Sequence, residues 1–65
     1  MKYPVTCKVA GVPAEGYPRM MSLEEAMQPG QFPSQSVVDV IGVGGVRVAY
    51  KDPGQAGLTV GPRAS

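Results

Sequence analysis

Ser36-Val37-Val38-Asp39-Val40-Ile41-Gly42-Val43-Gly44-Gly45-Val46-Arg47-Val48-Ala49-Tyr50 is the stretch whose reading decides the fold. It holds the densest run of β-branched residues in the chain, and Gly44-Gly45 can take the positive φ angles of a tight turn. The reading is an antiparallel hairpin over about residues 36–50. In its second arm Val46, Val48 and Tyr50 share one face while Arg47, Ala49 and Lys51 share the other, which predicts one buried and one wet side. The first arm is apolar on both faces apart from Asp39. That predicts a central or interface-covered position.

Outward from the hairpin, Lys2 to Val9 alternates. Tyr3, Val5, Cys7 and Val9 fall on one face, and Lys2, Pro4, Thr6 and Lys8 on the other, as in a half-buried strand. Pro4 has no N–H for a ladder, so this strand lies at an edge or begins there. Cys7 reads as a small buried hydrophobe, since no neighbour in sequence would activate its thiol. Gly11 to Arg19 and Gln31 to Gln35 read as loops. Between them Ser22-Leu23-Glu24-Glu25 forms a capping box: the Ser22 hydroxyl accepts from the Glu25 amide and the Glu25 carboxylate reaches back to the Ser22 amide. Pro29 and Gly30 stop the helix at about residues 23–28, a segment too short to stand unless it docks through Leu23, Ala26 and Met27. Asp52-Pro53-Gly54 is a turn, Leu58-Thr59-Val60 a last short strand, and 61–65 a loose tail. The expectation is a mainly β fold: a small antiparallel sheet with a central hairpin, an N-terminal strand, one short helix and Pro/Gly-rich loops, in a single domain over residues 1–60.

Composition limits what such a domain does. A chain of 65 residues has a small core, because a domain of that size buries only about 60% of its unfolded surface. One cysteine allows no internal disulfide, and without histidine no plausible zinc ligand set exists. The remaining staple is a partner. Nine glycines and seven prolines approach a disordered composition, but 43% hydrophobic residues against 17% charged oppose it. The basic residues Lys2, Lys8, Arg19, Arg47, Lys51 and Arg63 are scattered, whereas a nucleic-acid binder shows a basic patch. Val37 to Val46 is the longest apolar stretch, about half of the roughly 20 residues a membrane-spanning helix needs. Met1 to Cys7 has no apolar core of a signal peptide, and a lone cysteine fits a reducing cytoplasm.

Catalysis is not expected. The absence of histidine excludes Ser–His–Asp and Cys–His arrangements. Glu24 and Glu25 are the only adjacent acids, but neighbouring helical residues point about 100° apart and the cap already accounts for Glu25. Gly42-Val43-Gly44-Gly45-Val46-Arg47 imitates a phosphate-binding glycine loop and fails as one, since Arg47 occupies the third glycine position and a strand follows instead of a helix. No metal, cofactor or small-molecule substrate is expected.

Large or adaptable apolar residues stand outside the regular strand pattern. Tyr17, Met20, Met21 and Phe32, with Arg19 at the rim, form the candidate contact surface; the competing reading is that they close the domain's own core. The function that fits is a structural or assembly protein acting through a protein partner or self-association, such as a cement or decoration subunit of a larger, viral particle assembled in the cytoplasm. The alternatives are a regulatory or inhibitory binder of a larger enzyme and an SH3-like ligand-binding module.

Overall fold

The alternation between Lys2 and Val9 becomes an eight-residue strand, β1 (Lys2–Val9). In the computed structural model, which describes residues 1–62, it is followed by β2 (Val12–Pro13), β3 (Arg19–Ser22), helix α1 (Leu23–Ala26), β4 (Ser36–Ile41), β5 (Arg47–Lys51) and β6 (Thr59–Val60). These strands form one antiparallel sheet in the order β2-β1-β4-β5-β6. β3 pairs with the opening half of β1, along the edge that β2 occupies at its far end. The mainly β fold, the central hairpin and the N-terminal strand follow the sequence reading. Pro4 lies one residue before the first β1–β4 pair, Val5–Val40, so its missing N–H falls where that ladder begins.

Pairing of Val5 with Val40, Cys7 with Val38 and Val40 with Ala49 puts these side chains on one face. Met21, Ala26 and Phe32 join them there, and Tyr3, Ala14, Tyr17, Leu23, Val48 and Leu58 pack around the cluster. The core is therefore roofed by α1 and the flanking loops. A radius of gyration of 10.6 Å matches the roughly 10.7 Å expected for a compact chain of this length.

Several elements differ from the reading of the sequence. Strands β2 and β3 lie partly in the stretch expected to be loop, because β1 is long enough to recruit two short partners on one side. The helix is one turn, ending at Ala26 with Met27 as its cap. Ser22 caps it as expected, its Oγ accepting from the Glu25 amide at 3.1 Å. The return half of the capping box is replaced: Ser22 is held in β3 opposite Lys2, and the Glu25 carboxylate accepts from Arg19 instead.

At the hairpin tip the chain turns tightly over Val43–Gly45, with the Gly45 N–H donating to the Gly42 carbonyl at 3.1 Å. Gly44 and Gly45 have φ of 78° and 82°, the left-handed region where glycine carries no Cβ penalty. A bulge after Val40 brings Ile41 opposite Arg47 and leaves Val48 as the extra residue. Gly42 makes this possible, since a Cβ there would stand 2.6 Å from Val48 Cγ1.

Past the bulge the two faces of β5 are the reverse of the expected ones, while before it Arg47 stays on the outer side with Asp39 and Val48 still packs against the core. Ala49 and Lys51 face the core, Tyr50 faces out beside Asp39, and Val46 sits exposed in the turn. Gly61 donates its N–H to the Val48 carbonyl at 2.8 Å, so the expected loose tail is tied down at its first residue. The last three residues of that tail, 63–65, lie outside the described residues.

Candidate interaction surface

Strand alternation divides the residues proposed for contact. Met21 lies opposite Tyr3 and is fully buried, while Met20 lies opposite Pro4 and is 52% exposed on the other face. Phe32 is also in the core, with the half-buried Tyr17 ring tilted against it at a centroid distance of 5.8 Å. Met21 and Phe32 thus close the domain's own interior, as small β proteins require of their few large apolar residues. Tyr17, Arg19 and Met20 remain accessible. The Arg19 guanidinium stands 6.0 Å from the Tyr17 ring centroid and 3.0 Å from Glu25 Oε2, which fastens α1 to the edge of the sheet. Burial, with a smaller push from Cys7, raises the Tyr17 hydroxyl above its ordinary pKa, and the Arg19 charge acts against that rise.

The outer face carries a polar row in register across four strands, Thr6, Asp39, Tyr50 and Thr59. Asp39 is neutralised by Arg47, whose Nε lies 2.8 Å from Oδ1 without the alignment of a hydrogen bond. Above this row the surface turns apolar. Continuing the β1–β4 register one step places Pro4 beside Ile41, with Met20 on its far side. The hairpin tip lies at the same end, with Val43 84% and Val46 61% exposed.

The described residues enclose no pocket and bring together no group of three potential metal ligands. Their basic side chains do not converge: Lys51 is buried, Arg19 and Arg47 are ion-paired, and Lys2 and Lys8 stand roughly 20 Å apart along β1. Of the aromatic rings, Phe32 is buried and Tyr3, Tyr17 and Tyr50 are half-buried. The edge elements are short: β2 and β6 have two residues each and β3 has four, and Pro13 in β2 lacks a donor. Edges this short discourage strand addition. No helix among the described residues is long and apolar enough to cross a membrane.

No protein-family model, curated protein or solved structure matches the chain.

Sequence reasoning missed the tip valines and the interior position of Lys51. Both were legible in one constraint. A hairpin turning at Gly44-Gly45 already sets Tyr50 opposite Asp39 and Lys51 opposite Val38. Requiring the lone charge of the first arm to face water sends Tyr50 out and Lys51 in.

Proposed function

We propose that the protein is non-enzymatic and works through protein–protein contact, as a small subunit that cements or decorates a larger assembly, such as a viral particle built in the cytoplasm. One observation carries the reading: the core closes without Val43 and Val46, which are left in water on an uncharged, glycine-flanked tip at the same end of the sheet as the exposed Met20. Turns are ordinarily polar. Two β-branched residues there gain nothing on folding, whereas burial against a partner is worth about 1.5–3 kcal/mol for each side chain fully covered. The lone cysteine, buried and reduced, accords with a cytoplasmic setting.

Sedimentation from native host extract tests this directly. The tagged chain is expected to travel with a large assembly, and the double variant Val43→Ser, Val46→Ser to travel as a free small protein. A native chain that sediments at its monomer mass, or a double variant that stays with the assembly, rejects the proposal.

A further inference from the structure

The base of the hairpin holds a charged group in a dry place. Lys51 is 1% exposed, opposite Val38 on the core face. Its Nζ donates to three carbonyl oxygens, those of Ser34 at 2.8 Å, Ser36 at 2.9 Å and Asp52 at 3.2 Å. An ammonium has three N–H donors and no acceptor, so this set uses all of its hydrogen-bonding capacity.

The three oxygens are positioned by bonds that do not involve the lysine. Ser34 O also accepts from the Gly54 amide at 2.7 Å, and Asp52 O from the Gln55 amide at 3.1 Å. Ser36 is fixed by its own amide and hydroxyl, both of which donate to Pro33 O. Gln55 Oε1 accepts from the Asp52 amide and holds that residue from the other side. The ammonium therefore occupies lone pairs left over on carbonyls that are already locked. Three dipoles converging on one point in a water-poor interior favour a cation strongly.

We infer that the junction of 34–36 with Asp52 is a preformed backbone cradle for a primary ammonium, which the chain fills with its own Lys51. The cradle supplies the internal staple that one cysteine and no histidine cannot. It ties the loop returning from Phe32 to the end of β5 and to the 52–55 turn. It selects by hydrogen-bond number as well as by charge, so a quaternary ammonium, with no N–H to donate, is excluded. Lys51→Ala removes Cγ, Cδ, Cε and Nζ, the equivalent of n-propylammonium, and leaves a site of that shape.

Thermal melting of Lys51→Ala in n-propylammonium chloride and in tetramethylammonium chloride at equal ionic strength tests the cradle. The variant is expected to melt about 10 °C or more below the native chain. It should regain a saturable part of that loss in n-propylammonium alone, while the native chain responds equally to both salts. A variant melting within a few degrees of native, or rescued equally by both salts, overturns the inference. Should Lys51→Ala fail to fold in either salt, the native chain decides by nuclear magnetic resonance. Hydrogen-bond couplings from Lys51 Nζ to the carbonyl carbons of Ser34, Ser36 and Asp52 are expected. An Nζ signal as exchange-broadened as those of Lys2 and Lys8 overturns it.

Discussion

The two ends of the β4–β5 hairpin invert the ordinary distribution of residues in opposite senses. At its base a lysine and a serine are dry; at its tip two valines stand in water. The base resolves its anomaly within the chain, because Lys51 Nζ and Ser36 Oγ both reach carbonyl oxygens. The tip has no such resolution. Gly42 and Gly45 close the turn through the backbone, and neither valine contributes to the core. An inversion satisfied locally is part of the fold, whereas the one left open is what motivates the proposed contact. That is why the base is read as a staple and the tip as a contact.

The sharpest way to break this comparison is to put a second charge into the interior without a cradle. Met21 is fully buried opposite Tyr3, in a cluster of Val5, Cys7, Ala26, Phe32 and the strand valines. Met21→Lys is expected to unfold the chain, since an unpaired buried ammonium costs more than the few kcal/mol of net stability such a domain possesses. Met20→Lys, one residue away on the open face, is expected to keep the native circular dichroism spectrum. If both variants retain it, the division of β3 into inner and outer methionines is wrong.

The next effect belongs to the backbone of the tip. Gly42→Ala brings a Cβ to 2.6 Å from Val48 Cγ1 and 3.3 Å from the Val46 carbonyl oxygen, and overpacking of this kind costs about 1–3 kcal/mol. Urea unfolding should show a lowered midpoint with an unchanged slope. Unaltered stability would mean that the bulge is not locked by close packing, and that the tip is free to refold around its valines.

Outside the hairpin, at the start of α1, lies an ordinary capping contact. Ser22→Ala removes the acceptor for the Glu25 amide and is expected to cost about 0.5–2 kcal/mol in the same urea assay. Glu25→Gln should cost less, because its carboxylate is engaged by Arg19 at a largely exposed ion pair. A larger loss from Glu25→Gln than from Ser22→Ala would show that the Arg19 bridge, not the cap, holds the helix.

Local pattern carried the fold as far as local pattern decides it. Alternation in β1, β-branched density in β4 and the Ser22 cap are properties of neighbouring residues, and each was legible. The strands β2 and β3 were not, since two to four residues among glycines and prolines become strand only because β1 offers them a free edge. The faces of β5 were misjudged because parity within one strand ranked Tyr50 and Val48 above Ala49 and Lys51 in hydrophobicity. The cross-strand partner decides instead, and Asp39 overrules Tyr50. For the contact surface, methionine and phenylalanine content gave the right inventory of large residues but not their direction. Met20 and Met21 differ only in which side of a strand they occupy.

The smallest effect on stability is expected at the tip side chains, and that smallness is the informative outcome. Val43 and Val46 are 84% and 61% exposed in a turn closed by backbone hydrogen bonds from Gly42 to Val46 and from Gly45 to Gly42. Neither bond depends on what the valines carry. Replacing both by serine should leave the urea midpoint within about 0.5 kcal/mol of native, as for surface substitutions that touch no core, cap or network. The same pair of changes is expected to abolish co-sedimentation with the proposed assembly, so one variant separates contact from folding. A loss of stability above that margin would place the valines in the fold after all, and the hairpin would then have two structural ends instead of one structural end and one that faces a partner.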